Sequence, residues 1–161
     1  MYITAVSTIK TKLIKANAMD IQNLSVSDLL KSIHSGSLKV ADVASQTIDA
    51  MERCKSLNTV ISTNKELIET NASLLDDKIV KGERLALHGI PFLVKDNIDT
   101  VDFPTTGGTP ALSKHQPVVD AGVVTRLKNA GALIVGKANM HEIAFGITSN
   151  NAHTGAVHNP Y

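Results

Sequence analysis

Among the residues of this 161-residue chain that could do chemistry, Lys95 has the most unusual setting. It closes the run Ile90-Pro91-Phe92-Leu93-Val94. A wholly apolar strand would carry the amine into or beside a core, where desolvation lowers an amine's pKa and can leave it neutral. A neutral amine accepts protons, so a base is one reading. The plainer reading is a lysine that emerges at the strand end and pairs with Asp96 or Asp99.

The other chemistry-bearing groups read as structural. Gly131 to Ala138, GALIVGKA, nearly matches a phosphate-binding loop, but Ala138 stands where a hydroxyl should hold magnesium. Residues 132–135 between the glycines also look like a strand, not a loop whose N–H groups could cradle phosphate. His141 and Glu142 could begin a zinc helix, yet Phe145 occupies the place of the second histidine. His153 and His158 sit in Asn, Thr and Gly loop composition and read as surface residues, so no metal site is expected. Cys54 falls on the apolar face of a helix with no activating neighbour and is expected in the core.

The elements that must position Lys95 divide the chain in two. Up to Lys81 the signals are helical. Ser25 and Asp28 form a capping-box pattern before Leu29, Leu30 and Ile33, and Gly36 is a helix stop. Val40, Val43, Thr47, Met51 and Cys54 share one face of a second helix. A β-rich run, Thr59 to Ser62, precedes a third helix that Thr63 and Glu66 can cap reciprocally, with Ile68, Ala72, Leu75 and Ile79 inward and Gly82 closing it. From Leu85 the texture is α/β. Ile90 to Val94 reads as a buried strand. Asp120 can cap a helix with Val123, Leu127 and Ala130 inward, Gly131 ends it, and Ala132 to Val135 reads as a second buried strand. A strand, crossover helix and strand suggest part of a sheet covered by helices.

Bulk properties exclude several classes. With 43% hydrophobic residues, 16 basic and 15 acidic side chains and a net charge of +1, the chain carries neither a basic stripe for nucleic acid nor an acidic tail. Nothing approaches the ~20 apolar residues of a membrane span. The single cysteine forbids an intrachain disulfide and fits a reducing, cytoplasmic setting. Lys10, Lys12 and Lys15 precede the first acid, Asp20, and the stretch before them is broken by Thr4, Ser7 and Thr8. Residues 1–20 are therefore expected to be a flexible basic extension, a cleaved organellar peptide being the alternative.

Four segments, LHGIPFLVKDNIDT, FPTTGGTPAL, VVTRLKNAGALIVGKANMHEIAFG and ITSNNAHTGAVHNPY, occur in the order and spacing of the amidase-signature family. The resemblance covers residues 85–161 closely and the helical part from about Asn23 more loosely. It implies an α/β fold, the N-terminal part of a mixed sheet flanked by helices and preceded by a helical region. Residues 21–161 would then be the first portion of a single amidase domain. Family members use a serine nucleophile, a second serine in a cis linkage and a lysine that Lys95 matches. By resemblance Lys95 is the general base. Both serines belong to Gly/Ser-rich segments expected beyond Tyr161, together with the backbone of the oxyanion hole.

The resemblance assigns Thr148, Ser149 and Asn150 to a loop lining the site, Ser149 being no nucleophile. Within the family, the segment from Asn139 to Tyr161 most resembles the branch that cleaves arylacetamide-type primary amides to acid and ammonia. The amidotransferase component that supplies ammonia to misacylated tRNA is the rival, and a non-catalytic binding module a second. The implied partner is a small-molecule amide, without cofactor, metal, nucleic acid or membrane, and the resemblance allows a homodimer of the intact enzyme. Two positions depart from the family: His158 replaces a usual arginine, and Lys39 stands at a helix start where Ser or Thr is common. A sheet cut at this point would expose an apolar edge and face, so the chain by itself is expected to self-associate.

Overall fold

Capping chemistry sets the helical half of the molecule. The computed structural model describes residues 19–161, so most of the basic extension expected over 1–20 lies outside the described residues. Helix α1, Val26–His34, starts where the Ser25 hydroxyl oxygen accepts from Asp28 N at 3.1 Å. The Asp28 carboxylate accepts a hydrogen bond from the Ser25 hydroxyl at 2.7 Å instead of reaching back to the backbone. Leu29 and Ile33, four apart on one face, are buried.

Helix α2, Val40–Arg53, begins at Lys39, a side chain with no acceptor for orphan N–H groups. Its cap comes from elsewhere. Asp42 accepts from Lys39 N at 3.3 Å, and Asp76, on the neighbouring helix α3 (Lys65–Val80), takes Val40 N at 2.8 Å and Ala41 N at 3.0 Å. A carboxylate at a helix N-terminus stabilises it by about 1 kcal/mol. Here the same bonds join two helices, and Lys39 costs less than its position suggests.

Two local expectations shift by one residue. The α3 cap is Asn64, whose Oδ1 accepts from Leu67 N at 3.1 Å. The Thr63 hydroxyl instead donates to Val135 O at 2.8 Å and ties the helix start to the sheet. Cys54, expected in the core, is exposed. The helical face breaks because α2 ends at Arg53 and Cys54 leaves helical geometry with ψ of 13°. The thiol is thus expected to react fully with a disulfide reagent in the folded chain, at the rate seen in denaturant; protection until unfolding would contradict its placement.

The sheet has three strands in the order β1-β3-β2, with β1 Val60–Ser62, β2 Pro91–Lys95 and β3 Leu133–Ala138. Central β3 runs parallel to β2 and antiparallel to β1, a mixed sheet. The helix between β2 and β3, α4, spans Gly122–Asn129, and Val124, not Val123, is its buried valine. Asp120 does not cap it. Its carboxylate accepts from Val101 N at 2.8 Å and from the Lys128 ammonium at 2.7 Å.

Two apolar clusters hold these layers. One joins α1, α2 and α3 to the sheet through Ile90, Leu133 and Val135; the other places Val94, Phe103, Val124 and Ile134 together on the opposite side. β2 is an edge strand and not the doubly buried one expected: Val94 is buried while Leu93 is 41% exposed. No helix among the described residues is long and apolar enough to cross a membrane.

Candidate active site

Alternation along β2 decides where each side chain goes. Val94 and Asp96 turn inward and Lys95 turns outward, because successive strand residues face opposite ways. Lys95 pairs in register with Ala138, and Asp96 N donates to Ala138 O at 3.2 Å, so the backbone is held up to the residue after the lysine. The expected burial of Lys95 is therefore not found: its side chain is exposed. The plainer expectation holds in one half: Lys95 emerges at the strand end, but it pairs with neither carboxylate. No ion pair among the described residues involves Lys95. Asp96 faces Lys137, and Asp99 faces His115 at 3.7 Å.

The buried lysine is Lys137, one strand away and fully enclosed. Its ammonium donates to Ile98 O at 2.6 Å and Thr105 Oγ1 at 2.7 Å. The Asp96 carboxylate lies 3.9 Å away, also fully buried. Burial holds the Lys137 amine below the usual lysine range, and the charges of Asp96 and Asp99 restore only part of the difference. The Asp96 Oδ2 atom accepts from Thr106 N at 3.1 Å, Gly108 N at 3.2 Å and the Thr106 hydroxyl. Its Oδ1 atom has no hydrogen-bond partner and answers only to Lys137.

Sequence reasoning misses Lys137, and a bulge explains why. Leu133 and Val135 serve the helical cluster and Ile134 the opposite one, so simple alternation puts residue 137 with the former. The β2–β3 register jumps between Phe92 and Leu93, passing from Ile134 to Gly136, and thereafter pairs Val94 with Lys137. The extra residue turns Lys137 to the Val94 face.

Thr148 and Asn150 are exposed, and Ser149 is half-buried with φ of 50°. The side-chain hydrogen bonds that anchor this loop fall on the next residue. Asn151 is buried; its side-chain amide donates to Gly108 O at 2.8 Å and Met140 O at 3.0 Å, and its oxygen accepts from His153 N and Thr154 N. Its only signal in the sequence is its place in the motif TSNN, which does not distinguish it from Asn150. Through Gly108 and Asp96 the 148–150 loop is tied to the residue after Lys95. A cleft of about 300 Å³ opens beside the turn that follows Lys95, lined by residues that include Asn97, Asp99, Leu112, His115 and Ile143.

Glu142–Ala144 form a single 3-10 turn, and Ile143 and Ala144 both take positive φ. No group of three or more His, Cys, Asp or Glu side chains among the described residues could hold a metal.

Comparisons with known proteins bear on the family and the fold. The family model described as Amidase matches residues 42–161. Over 110 residues the chain is 46% identical to an indoleacetamide hydrolase of Rhizobium radiobacter, covering 68% of this chain and 23% of that enzyme. Over 120 residues it is 42% identical to a component of the glutamyl-tRNA(Gln) amidotransferase of Archaeoglobus fulgidus, covering 74% of this chain and 25% of that component. The native peptide amidase of Stenotrophomonas maltophilia superposes with a TM-score of 0.79 at 31% identity, over 88% of this chain and 31% of that one. The chain thus spans less than a third of the length of these relatives.

Proposed function

The chain belongs to the amidase family, and from that membership we propose that it supplies the lysine base of a serine-dependent hydrolase of small aromatic primary amides. The observation that carries the reading is the placement of Lys95. It ends β2 on the exposed side, without an ion-pair partner among the described residues, and two residues before Asn97 of the 300 Å³ cleft. That volume is at the lower end for small-molecule sites. The 46% identity to an indoleacetamide hydrolase supports indole-3-acetamide as the type substrate.

In the proposed reaction the Lys95 amine takes a proton from a bridging serine, which takes one from the serine nucleophile as that oxygen bonds to the amide carbonyl carbon. Collapse breaks the C–N bond, the proton returns to the leaving ammonia, and water hydrolyses the acyl-enzyme. No Gly-Gly-Ser segment occurs in the 161 residues. Residues 1–161 alone are therefore proposed to be silent. Ammonia release from indole-3-acetamide should match that of a Lys95→Ala control, and turnover above the control would overturn the silence.

The base role is tested separately in a chimera that joins this chain to the remaining length of the Rhizobium radiobacter enzyme. There Lys95→Ala is expected to lower kcat by about 10²–10⁴-fold, and an unchanged kcat would sink the assignment. The 42% identity to an amidotransferase component favours a second reading, in which the ammonia comes from glutamine. Glutamine turnover exceeding that of indole-3-acetamide in the chimera would select it.

A further inference from the structure

We propose that Asp96 and Lys137 are positioning residues, whose buried pairing keeps the Asp96 carboxylate from reaching the adjacent Lys95 amine. The inference rests on Lys95 being the base described above. A lysine that must accept a proton is compromised by a carboxylate within reach, because the opposite charge favours the protonated amine. Sequence places that hazard directly beside Lys95, as Asp96, and again at Asp99. Strand alternation sends Asp96 inward, but β2 ends at Lys95 and the chain turns at once, with Ile98 N donating to Lys95 O at 3.0 Å. The last ladder bond, Asp96 N to Ala138 O, still holds the backbone there, but beyond the strand end it leaves the Asp96 side chain free to rotate.

Specific contacts then do so. Three donors, Thr106 N, the Thr106 hydroxyl and Gly108 N, converge on Asp96 Oδ2. Oδ1 is buried without a hydrogen bond, and the Lys137 ammonium at 3.9 Å is its compensating charge. Lys137 is held in turn by Ile98 O and Thr105 Oγ1, so it fastens the same turn that Asp96 enters. Asp99 lies 3.7 Å from His115 and in no ion pair with Lys95. Without Lys137 the Asp96 carboxylate would be buried and under-compensated, and on this proposal it relieves that by swinging to solvent, where Lys95 is the cation next in the chain, and not by taking up a proton in place. A residue on another strand, with its side chain on the opposite face, thus decides whether Lys95 acquires an ion partner.

The test is the rate at which an activated acetyl ester modifies the Lys95 amine of the folded 161-residue chain at fixed pH, resolved by peptide mass spectrometry. An ion-paired ammonium acylates slowly. Asp96→Asn is expected to leave the Lys95 rate within about 1.5-fold, because the native carboxylate does not contact it. Lys137→Met is expected to slow it by about 3-fold or more, and adding Asp96→Asn to restore it. The rescue by Asp96→Asn separates a new ion partner from loosening or self-association at the β2 edge, neither of which removing a carboxylate would reverse.

If circular dichroism shows that Lys137→Met does not fold, Thr106→Val carries the test, with a slowing of about 1.5–2-fold expected. Acceleration by Asp96→Asn alone, an unchanged rate in folded Lys137→Met, or an unchanged rate in Thr106→Val when that variant carries the test would each overturn the proposal. The chimera's ammonia release reads the base role independently. An intact Lys95→Ala effect there with an unchanged acetylation rate here removes only the lock.

Discussion

Replacing Lys137 with methionine is expected to destabilise the folded chain by about 3–5 kcal/mol, because Asp96 then either stays buried without its compensating charge or leaves for solvent and abandons the Thr106 and Gly108 donors. The pair itself need not be stabilising. Both charges are fully buried, and burial alone lowers the affinity of Lys137 for its proton. Taking two ions out of water costs roughly what their attraction returns, so the double change Lys137→Met/Asp96→Asn should recover much of the loss. Urea melts of the two single variants and the double would show a strong positive coupling. Simple additivity would mean that Asp96 answers to Thr106 and Gly108 alone.

The same melts carry a pH signature whose sign follows from the two perturbed lysines. Lys137 has its folded value below the ordinary lysine value of about 10.4, so between the two the unfolded chain holds a proton that the folded chain has released. Stability rises with pH across that window, and Lys137→Met lacks the rise. Lys128 runs the other way. Burial lowers its value, but Asp102 at 2.6 Å and Asp120 at 2.7 Å more than offset this and leave it raised. Its contribution is complete below the ordinary lysine value and is lost as pH rises through the raised one.

What is legible in the sequence is whatever depends on near neighbours. Ser25 capping α1 and the inward pair Ile68 and Ala72 of α3 are local patterns, and they stand as read. The GALIVGKA segment is no phosphate loop, as the missing hydroxyl at Ala138 indicates, since Leu133–Ala138 is a strand. Its glycines have other duties: Gly131 takes φ of 90° where α4 stops, and a Cβ on Gly136 would overlap the Ser62 carbonyl oxygen of β1. The misreadings share a cause, which is that partners distant in sequence override local rules. Asp76 caps α2 from α3, so Lys39 there loses its meaning as a defect. A bulge set by β2 turns Lys137 inward. Lys95, the residue that resemblance picks out, is exposed because nothing among the described residues covers the outer face of β2, which composition alone could not reveal.

Asn151→Ala is expected to cost about 2–4 kcal/mol, since four hydrogen bonds end on that one buried amide and each is worth roughly 1 kcal/mol. The loss is larger than a loop residue usually carries, because the carbonyls of Gly108 and Met140 would be left facing a void. Asn151→Asp separates the two halves of the side chain. It keeps the acceptor for His153 N and Thr154 N, but points an oxygen at two carbonyl oxygens, so it should be no better than alanine. Hydrogen exchange locates the effect. Gly108 N donates to Asp96, and Gly108 O accepts from Asn151, so releasing the amide should weaken protection at Gly108 and at Thr154 together. That joint change would show that the loop carrying Thr148, Ser149 and Asn150 is clamped to the turn after Lys95. A loss below about 1 kcal/mol with faster exchange at Thr154 alone would mean the two loops are held independently.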